Sequence, residues 1–120
     1  MIRFQQVSKR YPAGINALSA VSFDIADGEF TVIAGHSGAG KSTLLKLVAA
    51  VERPTGGAVL VNGQNVGTLK RAAIPYLRRN LGLVFQDQKL LFDRNVFDNV
   101  LLPLSIAGFA PREAAKRVRA

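Results

Sequence analysis

No cysteine occurs anywhere in the 120 residues, which excludes a disulfide scaffold, a zinc ribbon and thiol catalysis together. Aromatic residues are scarce, at 8%, and acidic residues number 8 against 16 basic ones, leaving a formal charge of +8. No apolar stretch reaches the roughly 20 residues needed to span a bilayer. The most apolar one, Val100 to Pro111, is interrupted by Pro103 and Ser105. The first ten residues hold no apolar core of secretory length, so no signal peptide is expected. What is present is a 48% apolar fraction, enough to build a core, in a length that admits one domain at most. The composition predicts a soluble, cytoplasmic, basic domain.

Whether the positive charge means nucleic acid depends on how it is distributed. Small pairs occur at Lys9-Arg10, Lys70-Arg71 and Arg78-Arg79, and the densest group is Arg112, Lys116, Arg117 and Arg119. No aromatic residues interleave with that group, as a base-stacking platform requires. A solvated or partner-facing segment is the expected role, with a non-enzymatic polyanion-binding module as the rival.

Periodicity outlines a mixed chain. Ile2, Phe4 and Val7 mark a strand, and Leu18 to Ile25 a second with Val21, Phe23 and Ile25 on one face. After the Asp27-Gly28 turn, Phe30 to Ala34 reads as a buried strand. Lys41 to Val51 reads as a helix apolar nearly all round, hence buried, and Pro54 and Gly56-Gly57 break it. Ala58 to Val61, Asn62-Gly63 and Gln64 to Val66 form the clearest hairpin signal. Pro75 opens a short helix through Arg79. Leu81 to Phe85 is another strand candidate, followed by the polar loop Gln86-Asp87-Gln88. Asn95 to Leu102 suggests a helix halted before Pro103, Gly108 closes that segment, and Pro111 to Ala120 opens a basic helix. Strands mixed with helices indicate an α/β fold, and an end inside a helix suggests an incomplete domain.

The most specific motif is Gly35-His36-Ser37-Gly38-Ala39-Gly40-Lys41-Ser42, which fits the P-loop pattern of glycine, four residues, then Gly-Lys-Ser/Thr. Glycines let the backbone fold into a concave nest whose N–H groups meet phosphate oxygens. The helix that begins near Lys41 adds the positive end of its dipole. Lys41 supplies a mobile charge for the β- and γ-phosphates, and the Ser42 hydroxyl suits Mg²⁺. The strand–loop–helix context that the motif needs is present, so the sequence predicts a nucleoside triphosphate site. His36, the single histidine, occupies a variable loop position with no carboxylate near it in sequence, so it is expected to fill the loop and not to catalyse. The P-loop alone leaves kinases, GTPases and transport ATPases open.

The surroundings narrow that choice. Ser8-Lys9-Arg10-Tyr11 upstream, with Ala17-Leu18 and Val21-Ser22-Phe23, resembles the start of an ATP-binding cassette (ABC) ATPase, and Leu83-Val84-Phe85-Gln86-Asp87 resembles its Q-loop. Glu52-Arg53-Pro54-Thr55-Gly56-Gly57 and Val61-Asn62-Gly63 also fit the cassette pattern. Ala50 departs from it, standing where cassettes often carry glycine, which should affect helix packing and not nucleotide contact. Ile74 to Asn80 and Leu90 to Val100, with Asp93-Arg94 as the discriminating piece, are similar to the cell-division branch of the family. Lipoprotein-release and macrolide-export ATPases are the alternatives.

The resemblance implies a P-loop NTPase fold: an ABC ATPase core with an antiparallel β-subdomain over residues 1–88, and the beginning of a helical subdomain over 89–120. It implies ATP and Mg²⁺ as ligands. ATP would be held by Tyr11, Gly35, His36, Ser37, Gly38, Ala39, Gly40, Lys41, Ser42, Thr43 and Gln86, with Tyr11 stacking on adenine. Ser42 and Gln86 would hold the metal. The Leu-Ser-Gly-Gly-Gln-type signature, the Asp-Glu-terminated Walker B strand and the switch histidine of cassettes do not occur here. No catalytic residue is therefore expected within these 120, which should bind phosphates without turnover. The resemblance further implies a head-to-tail homodimer on the cytoplasmic face of the cell membrane. There it would dock on a membrane protein that controls septal cell-wall hydrolysis, through a partner helix inserted beside the Q-loop.

Overall fold

In the computed structural model, which describes residues 1–36, 38 and 40–120, the chain forms two compact units, Met1–Leu81 and Gly82–Ala120. The first unit grows from alternating apolar residues. β1 (Ile2–Arg10) pairs antiparallel with β2 (Asn16–Ile25) on one side and with β3 (Gly56–Val61) on the other; the two-residue β4 (Gln64–Asn65) pairs with β3, giving the order β2-β1-β3-β4. Phe4 stands opposite Phe23 and Val59, and the Phe4 and Phe23 rings stack with centroids 4.6 Å apart.

Helix α1 (Lys41–Val48) supplies Leu44, Leu47 and Val48 to the core formed with Phe4, Val7, Leu18, Val59 and Val61. Val66 and Leu77, the latter from α2 (Ile74–Arg79), complete it. Each fully buried Val, Leu or Phe contributes about 1.5–3 kcal/mol, so this cluster is what fixes the first turn of α1 beside the sheet. The register of the β1–β2 hairpin shifts at three places, and Gln6 and Ala20 take positive φ at the first two. Their backbone donors are met by serines: Gln6 N–H donates to Ser22 Oγ and Ala20 N–H to Ser8 Oγ, each at 2.9 Å.

The Asn62-Gly63 turn is as expected, with φ of 49° and 82° at its two central positions. Its second arm is shorter than expected: Gln64 and Asn65 pair, and Val66 turns into a 3₁₀ segment, Val66–Thr68, as a core residue. α1 is also shorter and less buried than its composition suggested. It ends at Val48 and leaves Leu45 exposed, because only one side of it meets the sheet. Phe30 to Ala34 is not a buried strand. Phe30 is 92% and Val32 75% exposed, and no strand among the described residues offers this segment a ladder. Leu81 to Phe85 likewise forms no strand, although Leu81, Leu83 and Phe85 alternate half-buried with exposed neighbours and Val84 is 93% exposed.

In the second unit, Asn95 caps α3 (Val96–Ile106) by accepting from Asp98 N–H at 2.8 Å. The helix runs through Pro103 instead of stopping before it. Pro103 is exposed, so the lost bond lies at a solvated part of the helix and packing carries one more turn. Gly108, at φ 89°, ends it with Gly108 N–H donating to Ser105 O and Phe109 N–H to Leu104 O. α4 (Pro111–Arg119) follows and packs on α3.

Candidate phosphate-binding site

The loop from Gly35 to Gly40 leads directly into α1, whose first turn carries Lys41, Ser42 and Thr43 and no acidic side chain. Gly38 and Gly40 take φ of 83° and 93°, which side chains rarely adopt. Gly40 is required a second way: a Cβ there would lie 2.6 Å from the Ala17 carbonyl oxygen and 2.9 Å from Leu18 Cδ2. The loop is thus clamped to β2 at its end. The Lys41 ammonium donates back to the carbonyls of Gly35 and, at 2.8 Å, of His36, so the charge is held over the loop. Ser42 is exposed at the helix start, and Thr43 is buried. With the helix dipole and Lys41 both positive and no carboxylate in the first turn, the arrangement suits an anion.

Gly35, His36, Gly38, Gly40, Lys41, Ser42 and Thr43 are therefore neighbours, as the motif requires. Ser37 and Ala39 lie outside the described residues. Tyr11 joins the group from the β1–β2 loop: its hydroxyl is 3.3 Å from Thr43 Oγ1 and donates to Glu52 Oε2 at 2.6 Å. The bond to Glu52 holds the Tyr11 phenol above its ordinary value, with the Thr43 hydroxyl acting in the opposite direction. Gln86 belongs to the second unit, exposed at the start of a turn in which Gln88 and Lys89 both take positive φ.

At the far end of α1, Arg78 and Glu52 take roles that no sequence pattern announced. The chain leaves that helix with Ala50 at φ 56°, Ala50 N–H donating to Leu47 O and Val51 N–H to Lys46 O. Arg78 caps the same end, its Nε and Nη2 donating to the carbonyls of Ala49 and Ala50 at 2.9 and 3.1 Å. Glu52 then stands 3.9 Å from Lys46 Nζ and 4.0 Å from Lys9 Nζ. The contacts of Arg78, and that of Glu52 with Lys9, join positions tens of residues apart, beyond the reach of any local pattern.

A P-loop with its helix, set beside a small antiparallel sheet, defines the class as a cassette-type nucleotide-binding fold. The ABC transporter family matches residues 18–120, and the chain belongs to that family. It is 49% identical over 120 residues to the cell division ATP-binding protein FtsE of Escherichia coli (strain K12), covering all of this chain and 54% of that protein. It is 45% identical over 118 residues to FtsE of Bacillus subtilis (strain 168), covering 98% of this chain and 52% of that protein. The methionine import ATP-binding protein MetN of Rhizobium meliloti is 49% identical over 121 residues, with 97% of this chain and 34% of that protein covered. Among solved structures, the ATP-binding cassette MJ0796, a dimer in a post-hydrolysis state bound to ADP and Pi, superposes with a TM-score of 0.92 at 33% identity, covering 99% of this chain and 54% of that one. The chain spans about half the length of the FtsE proteins it matches. Among the described residues, no helix is long and apolar enough to cross a membrane.

Proposed function

We propose that this chain is the nucleotide-binding part of an ABC ATPase subunit of the cell-division type, binding Mg-ATP through the Gly35–Thr43 segment. The observation that carries the reading is the clamped loop: two positive-φ glycines, Lys41 held over the loop and a helix N-terminus without a carboxylate. In this reading Tyr11 stacks on adenine, and Lys41 and the glycine backbone take the phosphates, with Ser37 and Ala39 completing the loop. Ser42 and Gln86 would hold Mg²⁺, which would supply charge neutralisation to the bound phosphates. The exposure of the Ser42 hydroxyl beside Lys41 is compatible with that role. The catalytic base would come from outside these residues. The turn after Gln86, with two successive non-glycine residues in a costly conformation, supports a loop that changes shape.

For the whole protein we propose ATP hydrolysis by a head-to-tail dimer docked peripherally on a membrane protein of the FtsX type, transmitting motion to septal cell-wall hydrolases. FtsE relatives 49% and 45% identical over 100% and 98% of this chain support this reading. The match to MetN keeps a second reading in view, an ATPase subunit of a different ABC system with the same nucleotide contacts. The polyanion-binding alternative loses support: Arg117 pairs with Glu113 and lies over Phe109, and Arg119 lies over Phe97.

Two measurements test the proposal. Lys41→Ala in the intact protein should abolish Mg-ATP retention in equilibrium dialysis while leaving the unfolding transition nearly unchanged, since the bonds of its ammonium go to the exposed carbonyls of the loop. Equal retention by parent and variant would sink the phosphate-loop assignment. Co-purification with an FtsX-type membrane protein, and not with a methionine-import membrane subunit, is the expected partner result.

A further inference from the structure

Tyr11 lies in the loop between β1 and β2, closed by Tyr11 N–H to Ile15 O and Gly14 N–H to Tyr11 O, each 2.9 Å. Those bonds fix the backbone of the loop but leave the ring free to rotate. What fixes the ring is its hydroxyl, bonded at 2.6 Å to Glu52 and 3.3 Å from Thr43. A bond that short to a carboxylate is charge-assisted and stronger than a neutral one. Glu52 is itself held. Its N–H donates to Lys46 O at 3.3 Å, and its carboxylate lies within 4.0 Å of both Lys46 and Lys9. Lys9 is anchored in turn by donating to Arg53 O at 2.8 Å, and its ammonium sits 5.3 Å from the centre of the Tyr11 ring.

We propose that Glu52 is the positioning residue for Tyr11, tying its ring to α1 so that base and phosphates are gripped by one rigid element. The inference rests on the base-stacking reading of Tyr11. α1 carries Lys41 and Ser42 at its start, and Glu52 follows the bend at its end, so the phenol bridges the hairpin loop to the helix that holds the phosphate loop. Lys9 covers one face of the ring, which assigns the base to the opposite face. A ring ordered before binding does not lose that freedom on binding, and the gain is confined to ligands that have a base.

The test compares Mg-ATP with magnesium tripolyphosphate in the intact protein by calorimetry. Tyr11→Phe keeps the stacking face and removes only the hydroxyl. It and Glu52→Ala should each weaken Mg-ATP by about five-fold, the size of one lost hydrogen bond, and leave tripolyphosphate unchanged. The double variant should be no weaker than either single one, and Glu52→Gln, which keeps an acceptor, should bind within about two-fold of the parent. In ¹³C-tyrosine NMR, the resonance lost in Tyr11→Phe should titrate above an ordinary tyrosine and move down in Glu52→Gln. Full Mg-ATP affinity in Tyr11→Phe, with weakened affinity in Tyr11→Ala, would overturn the positioning role and spare the stacking. Full affinity in Tyr11→Ala would overturn both. An additive double variant, or a Tyr11 resonance indifferent to Glu52→Gln, would also defeat the proposal.

Discussion

Gly40 does at one position what neither backbone conformation nor packing achieves alone. Its φ of 93° closes the loop onto α1, and the missing side chain lets β2 come within contact of the loop's last residue. Gly40→Ala should therefore lose about 2–3 kcal/mol of stability in urea unfolding and weaken Mg-ATP binding together, because the strained backbone and the contact with Ala17 and Leu18 are relieved by the same displacement. At Gly38 a methyl group would meet nothing within 4 Å, so Gly38→Ala should cost only its backbone strain, about 1 kcal/mol. Equal losses for the two substitutions would show that the approach of β2 is unimportant. Gln86 gives a different signature. It is exposed, and the bonds described in its turn are made by its neighbours, through their main chain and the Lys89–Asp87 ion pair. Gln86→Ala in the intact protein should leave stability nearly unchanged and lower kcat far more than it weakens Mg-ATP binding, as expected of a group that orders metal and water mainly in the transition state. A raised KM with unchanged kcat would remove it from that role.

At the scale of elements, the same chemistry explains what the amino-acid sequence disclosed and what it hid. Strands with an apolar alternation and a partner nearby, such as β1 and β2, are legible because each inward residue meets another across the ladder. Phe30 to Ala34 carries an equally apolar pattern, but a strand is a pairing and not a property of one segment, and no described strand pairs with it. Pro103 misled for the opposite reason: a local rule gave way to the surrounding helix. The end of α1 was half legible. Ala50 stood out as an unusual residue for its place, and the structure supplies the reason, a left-handed position that closes the helix. Ala50→Gly should raise stability by about 0.5–1 kcal/mol, the relief of strain being partly offset by loss of a buried methyl. Thermal or urea unfolding would measure it, and a loss of stability would mean that the methyl outweighs the strain. The Arg78 bonds to Ala49 and Ala50 carbonyls had no sequence signal, since they join positions 28 and 29 residues apart.

At the scale of the whole molecule, the exposed apolar surface of the second unit bears on the proposed docking on a membrane protein. Phe92 is 95% and Val96 81% exposed, and Leu90, Leu91 and Val100 are exposed beside them around an open cleft of about 250 Å³. Apolar residues on an irregular segment would ordinarily collapse inward, but here the backbone is pinned. Asn99 accepts from Leu91 N–H at 2.9 Å and donates to the carbonyls of Leu91, Arg94 and Asn95 at 3.1, 3.2 and 2.9 Å. One amide therefore holds the 91–95 loop on the first turn of α3, and Phe92 is displayed from it. A held loop presenting apolar side chains is the form a helix-docking surface takes, because the ordering cost has been met before the partner arrives. If the proposed membrane partner inserts a helix here, single cysteines at positions 90 to 100 should crosslink to its cytoplasmic face at a few sites with helical spacing, and cysteines in the Asn62-Gly63 turn should not. These 120 residues bring no cysteine to confuse the pattern. Asn99→Ala should reduce those crosslinks at least several-fold while leaving Mg-ATP binding intact, since its described bonds all lie within the second unit. Efficient crosslinks from the turn, with none from 90 to 100, would move the docking surface to the sheet of the first unit.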